Sequence, residues 1–345
     1  MAGDGMKRLT LANLPTPIQR PARLCEALGI DLWVKRDDAT GGPEAGNKIR
    51  KLEYLLADAL DQGCDTVITC GGIQSNHARA TATLAASLGL RAVLLLRESS
   101  VTSDGEGAGI AVTAVEVPLV GNLLLDLMLG ADVRLISPAS YQRRGEVMRV
   151  AADKLRANGA RPYVIPEGGS NGLGAMGYVA AMDEVRQQLD AGVAGGQPFD
   201  LIVHACGSGG TAAGIALGAA QHGVAAAVRA MAVCNDVDYF ERTIGTIIEA
   251  CRSLAPELGA PCSWTVDDSA KGPAYAVSTP PQRARMIEAA RQSGLLFDPV
   301  YTGKAFFGLW ELCESGELGG KRVLFIHTGG LPGLLAQAST MSAHL

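Results

Sequence analysis

Aromatic residues are scarce in this 345-residue chain, at 5%, and charged residues are few, at 19%. Neither sign of charge dominates, since 30 Lys+Arg against 35 Asp+Glu leave a net charge of −5. Without a basic excess or a basic tract, nucleic acid is not an expected partner, because such binding needs phosphate neutralisation. Long apolar runs are missing as well. None reaches the roughly 18–20 residues of a bilayer span, and runs such as Ala92–Leu96 are of strand length, so no membrane partner is expected. Residues 1–10 carry Gly3, Asp4 and Gly5 and no apolar signal core, which argues against a secretory peptide. The eight cysteines form no C-x-x-C pair, so neither a zinc ribbon nor a disulfide framework is signalled, and no metal is expected. Reduced thiols in a cytoplasmic protein are the expectation.

What the chain has in quantity is glycine, 43 residues within a composition that is 48% hydrophobic. Short apolar runs alternate with helical patterns. The expected strands are Trp33–Lys35, Asp65–Cys70, Arg91–Leu96, Asp132–Ile136, Pro162–Ile165, Leu201–Ala205, Val228–Val233 and Arg322–Ile326. Helical spacing covers Lys51–Leu60, His77–Leu88, Gly121–Leu129, Gly174–Leu189 and Thr211–Gln221. This order predicts an α/β protein with two open, mostly parallel sheets flanked by helices. The expected division is a small domain, 52–165, and a large one made of 1–51 and 166–345. The 191–198 stretch is expected to be a surface loop, and 99–117 a loop at the rim of an active-site mouth.

Glycine-rich turns stand where strands give way to helices, the position at which open α/β sheets bind ligands. Gly46-Asn47 opens a helix whose first turn holds Lys48, Arg50 and Lys51. Cations are disfavoured there by the helix dipole. Either an anion sits at this end beside a neutral lysine suited to imine chemistry, or the residues form a solvated basic face. Gly71-Gly72-Ile73-Gln74-Ser75-Asn76-His77 follows a strand and opens a helix that Ser75 or Asn76 can cap, with N–H groups suited to a carboxylate. Cys206-Gly207-Ser208-Gly209-Gly210-Thr211 is a phosphate-type turn. It is also compatible with a loose dinucleotide fingerprint, although no acidic ribose partner ends the next strand. Further turns are Glu167–Asn171, Asp298–Lys304 and His327–Gly333.

In combination these runs resemble the fold-type II pyridoxal-phosphate enzymes of the D-cysteine desulfhydrase and 1-aminocyclopropane-1-carboxylate (ACC) deaminase group. The resemblance runs through Leu14–Pro17, Val34–Asp38, Gly46–Lys48, Gly72–His77, Val120–Asn122, Gly168–Ser170, Gly174–Tyr178 and Cys206–Thr211. It continues through Lys271–Tyr275 and Asp298–Tyr301 to His327–Gly330, nearly the whole chain in order. It implies pyridoxal 5'-phosphate as cofactor, a tryptophan synthase β-like architecture, a small amino-acid substrate and a homodimer. By the same resemblance Lys48 is the Schiff-base lysine and the base that takes the Cα proton. Asn76 binds the cofactor's ring oxygen, and the Cys206–Thr211 loop with Lys51 holds its phosphate. Ser75 grips the substrate carboxylate, His77 lies near the substrate, and Tyr275 and Tyr301 move protons or orient it.

Two positions bear on the reaction. The deaminases resembled have glutamate where this chain has Thr302, and leucine where it has Thr328. A hydroxyl at the ring nitrogen leaves it neutral and the ring a weaker electron sink, which suits loss of a thiolate better than opening of a cyclopropane. The resemblance therefore implies α,β-elimination from D-cysteine to pyruvate, ammonia and hydrogen sulfide. The alternatives are elimination from L-cysteine, D-serine, β-chloroalanine or cysteate, and ACC deamination. From other classes come a nicotinamide-type oxidoreductase and a non-catalytic cofactor-binding protein. Departures from the pattern are Ala45 for a common glycine and Glu167 where a small or apolar residue is usual.

Overall fold

The computed structural model describes residues 6–105 and 108–345. Residues 1–5, half of the stretch read for a signal core, and residues 106–107 of the 99–117 loop lie outside it. Eleven strands are present among the described residues: β1 Ile18–Gln19, β2 Asp31–Lys35, β3 Thr66–Gly72, β4 Arg91–Arg97, β5 Ile110–Ala111, β6 Asp132–Ile136, β7 Pro162–Val164, β8 Phe199–Cys206, β9 Ala225–Ala232, β10 Ser263–Asp267 and β11 Arg322–Ile326. They form two sheets, ordered β5-β6-β4-β3-β7 and β1-β2-β11-β8-β9-β10. Every pairing is parallel except those of the two-residue edge strands, β1 with β2 and β5 with β6. The eight expected strands are all present. The three that the pattern does not reveal lie at sheet edges, where one neighbour suffices and the apolar run can be short.

Burial on both faces explains why the central strands read as unbroken apolar runs. β3 is buried at every position, and β4 from Ala92 to Leu96. Every strand of the first sheet falls between Thr66 and Val164, while chain on either side of that stretch supplies the second. The two parts meet where the Asn47–Asp61 helix packs on the Gly172–Asp190 helix. Contact there is close enough that a Cβ on Gly177 would lie 2.2 Å from the Arg50 carbonyl oxygen. The described residues of the 99–117 segment do not rim the cleft described below: Ile110–Ala111 add β5 to the outer edge of the first sheet, and none of the segment's described residues lines the cleft.

Candidate active site

A cleft of about 320 Å³ opens at the carboxyl ends of β3, β4, β8 and β11. Twelve of the expected site residues line it: Lys48, Ser75, Asn76, His77, Cys206, Gly207, Ser208, Gly209, Thr211, Tyr275, Tyr301 and Thr328. Nearly 280 residues separate the first from the last of these, so only the parallel crossovers can bring them together.

Lys48 enters the cleft from the first turn of its helix. That helix starts where two other turns meet: the Asn47 N–H donates to the Thr328 carbonyl (3.2 Å) and Asn47 Nδ2 to Thr211 Oγ1 (3.1 Å). Gly46 makes the approach possible, with φ +119° and a virtual Cβ only 2.8 Å from Thr328 O. The cluster of basic residues now has an explanation for each member. Arg50 is buried, donating to Asp37 (2.7 and 2.9 Å) and to Glu184 (2.9 Å). Lys51 Nζ, also buried, donates to Ser170 Oγ (3.0 Å) and to the Gly168 carbonyl (3.2 Å). Lys48 Nζ has neither a hydrogen bond nor an ion pair among the described residues. Burial lowers its pKa to about 8, which makes a neutral amine accessible near physiological pH. The solvated-face alternative fails for all three.

The Cys206–Thr211 turn leads from β8 into the Gly210–His222 helix, whose N-cap residue, Gly209, offers no capping side chain. Ser170 Oγ accepts from the Gly210 N–H (3.2 Å) and shares a hydrogen bond with Ser208 Oγ (2.7 Å). Lys51 lies beneath this turn rather than on the cleft wall, and a Cβ on Gly210 would meet its Nζ at 2.9 Å. Burial, and secondly the charge of Lys48, push the Lys51 pKa well down. A dianion held by the turn would reverse that shift, because it supplies the missing opposite charge. Cys206 is a neutral thiol, raised to about 12 by burial, so only its backbone can serve an anion here.

Across the cleft, Ser75 caps the Asn76–Ser87 helix by accepting from the Ala78 N–H (3.2 Å). Its hydroxyl proton and the Asn76 and His77 N–H groups of the first turn remain for a ligand. Asn122 orients Asn76, donating through Nδ2 to Asn76 Oδ1 (3.0 Å) and to the Gln74 carbonyl (2.9 Å). The Asn76 amide NH2 is thereby left as a donor. His77 Nε2 lies 2.8 Å from Thr69 Oγ1, whose own proton goes to the Ile165 carbonyl (3.0 Å). His77 therefore carries its proton on Nε2. Burial, then Lys48 and Lys51, hold its pKa well below the usual value, so the ring is neutral. Tyr275 and Tyr301 join hydroxyls at 2.6 Å. Burial raises Tyr275 to about 12, and burial with the neighbouring Tyr275 raises Tyr301 well above its ordinary value, so both are protonated at neutral pH and one proton of the pair is left to donate.

Thr302 is not brought to the cleft. Its hydroxyl donates to Asp298 Oδ1 (2.8 Å) and accepts from the Asp298 N–H (2.8 Å), so no proton is left for a ring nitrogen. The reason is local: Asp298 caps the turn and claims the nearest hydroxyl. Thr328 does line the cleft, with no side-chain partner among the described residues. Residues that motif reading passed over are Arg97, Tyr141 and Arg144, which line the cleft beside Glu167. Glu167 accepts from Arg144 Nε (2.7 Å) and from the Tyr141 hydroxyl. Arg97 ends β4, and that strand-end position was the available signal.

The cradle fits pyridoxal phosphate on the structure's own terms. An unpartnered amine stands in the cleft, a glycine turn and a buried lysine await a dianion, and an oriented amide offers a donor. The comparisons agree. The family described as pyridoxal-phosphate dependent enzyme matches residues 9–329. The chain is 43% identical over 343 residues to the bifunctional D-cysteine desulfhydrase/1-aminocyclopropane-1-carboxylate deaminase, mitochondrial, of Arabidopsis thaliana, covering 97% of this chain and 80% of that one. It is 40% identical over 333 residues to a D-cysteine desulfhydrase of Yersinia pestis, covering 95% of each. A crystal structure of an ACC deaminase homologue superposes with a TM-score of 0.84 at 35% identity, covering 99% of this chain and 97% of that one. The chain belongs to the pyridoxal-phosphate dependent enzymes of fold type II, in the D-cysteine desulfhydrase and ACC deaminase group, with pyridoxal 5'-phosphate as its cofactor.

Proposed function

We propose that the protein is a lyase acting by α,β-elimination, with D-cysteine as substrate and pyruvate, ammonia and hydrogen sulfide as products. The observation that carries this reading is the unpartnered Lys48 amine set between an anion cradle and a helix N-terminus. Pyridoxal phosphate, when bound, supplies an electron sink for charge developing at the substrate Cα. Lys48 would hold it as a Schiff base and, once displaced, would take the Cα proton on Nζ. The Gly207–Thr211 turn would hold the phosphate, with the charge of Lys51 beneath it, and the Asn76 amide would donate to the ring oxygen. Thr328, rather than Thr302, would face the ring nitrogen. Ser75 and the free N–H groups of the first turn would bind the substrate carboxylate. The protonated Tyr275–Tyr301 pair would supply a proton to the departing sulfur.

Sulfide and pyruvate release over a panel of D- and L-amino acids tests the reaction. Release from D-cysteine supports it, and absence of elimination from every member sinks it. Borohydride reduction should tag Lys48, and Lys48→Ala should abolish turnover; a tag elsewhere overturns the assignment. ACC deamination is the second reading, because the Arabidopsis relative is named for both activities. Formation of 2-oxobutyrate from ACC would establish it. The same proposal makes the protein a cytoplasmic homodimer, which light scattering and fractionation check. No helix among the described residues is long and apolar enough to cross a membrane.

A further inference from the structure

Arg97 is a cleft-lining charge that the reaction above leaves without a task, and unlike Arg144 and Glu167 it has no ion-pair partner among the described residues. It ends β4 opposite Gly72 of β3, and its carbonyl accepts from the Ile73 N–H (3.2 Å). Its backbone is thus pinned beside the turn that leads to Ser75. The guanidinium lies between two rings, 5.2 Å from the Tyr141 centroid and 5.3 Å from that of Tyr275. It has no hydrogen bond or ion pair among the described residues. The acid nearest in role, Glu167, is already engaged by Arg144 and Tyr141. An arginine cannot shed its proton and presents five N–H donors. Contact with both ring faces holds the guanidinium in place and leaves its fork of donors available. Tyr275 ties this fork to the reacting centre, since its hydroxyl meets Tyr301 and its Cε1 lies 3.2 Å from a virtual Cβ on Gly72.

We propose that Arg97 determines specificity for the β-substituent of the substrate by receiving an acidic group there, a sulfonate or a carboxylate, through its donor fork. This rests on the elimination reading and widens its substrate class beyond D-cysteine to small amino acids with an acidic group bonded to the β-carbon. For a sulfonate the step balances. The Cα–H proton passes to Lys48 Nζ, and the Cβ–S bond breaks with its electron pair leaving on sulfite. One water then converts the released aminoacrylate to pyruvate and ammonium. A carboxylate cannot leave in this way, which makes aspartate a binding probe.

The holoenzyme is assayed with cysteate and β-chloroalanine, and titrated by calorimetry with aspartate and with aminobutyrate, which lacks the second acid. Wild type should bind aspartate about 100-fold more tightly than aminobutyrate, the scale of a charge-assisted bidentate contact. Arg97→Gln should abolish that preference and lower the cysteate to β-chloroalanine ratio of kcat/KM by about 100-fold. Arg97→Lys, a point charge without the fork, should recover part of both. Absence of an aspartate preference in wild type, or equal losses on the two substrates in Arg97→Gln, overturns the proposal. Chloride elimination with no acid preference sinks only the role of Arg97. Failure to eliminate from any amino acid sinks the lyase reading, and the aspartate titration still decides Arg97.

Discussion

Lys48 concentrates the chemistry at the scale of one residue. Burial lowers its pKa from 10.5 to about 8, so the folded protein holds fewer protons than the unfolded chain between those values. Stability from this group therefore rises with pH across that window, and at neutral pH its burial is a cost that a bound aldehyde removes. Cofactor uptake requires the neutral amine. The rate of pyridoxal-phosphate uptake by the apoenzyme, followed by absorbance, should rise about tenfold per pH unit below pKa and level off above it. A rate flat from pH 6 to 9 would remove Lys48 from this role. The oddity of a lysine in a first helical turn was visible in sequence. That Arg50 and Lys51 have partners and Lys48 has none among the described residues was not, because Glu184 and Gly168 lie more than 110 residues from the arginine and lysine they engage.

Close helix contact sets the geometry at the scale of the element. The Gly172–Asp190 helix touches the helix carrying Lys48 at Gly177, and a second glycine, Gly214, would place a Cβ 2.2 Å from Ala175 O. Gly177→Ala must push the helices apart, and overpacking of this kind costs about 1–3 kcal/mol. Thermal unfolding should show a lowered Tm, and KM should rise as Lys48 shifts; an unchanged Tm would mean that the contact relaxes freely. A side-chain effect operates through Asn122, which aims the Asn76 amide from the N-terminus of the Gly121–Met128 helix. Asn122→Ala should weaken cofactor affinity, measured by equilibrium dialysis, by about tenfold, the scale of one lost oriented hydrogen bond. Motif order made the Asn76 helix legible, but the close helix contacts at Gly177 and Gly214 show only once their packing partners are seen.

At the scale of the whole molecule, a buried polar network ties the N-terminal segment and β2 to the Gly172–Asp190 helix. Arg50 bonds Asp37 and Glu184, Lys35 Nζ donates to Glu184 (2.5 Å) and Gln188 (2.6 Å), and the Tyr178 hydroxyl donates to Asp37 (2.6 Å). The N-terminal segment enters through the Thr16 carbonyl, which accepts from Lys35 Nζ (2.8 Å). Burial alone would raise the carboxyl pKa values, but Arg50, with Lys35, holds Asp37 and Glu184 below the ordinary range. Their stabilisation is present above the unfolded pKa near 4 and is lost as pH falls through the lower folded values. Tm should hold steady from pH 7 down to about 4 and then drop. Asp37→Asn should cost about 3–5 kcal/mol at pH 7, since it leaves Arg50 short of a counter-charge. It should also flatten the acid drop; equal acid profiles for both proteins would exclude Asp37 from it.

The alternation of apolar runs with helical spacing determined the parallel α/β architecture, and the turns at strand ends marked most of the cleft, because both are short-range patterns. Gly46–Lys48, Gly72–His77 and Cys206–Thr211 each contain the local chemistry of a helix N-terminus. Tertiary structure decided which side chains face the cleft and which charges find partners. It turned Thr302 to Asp298, left the Thr328 hydroxyl without a partner among the described residues and drew Ile110–Ala111 to a sheet edge. It also left Arg97 between two tyrosines without an ion-pair partner among the described residues. These outcomes depend on contacts between residues far apart in the chain, where crossover geometry and competition for hydrogen bonds override what any one segment prefers.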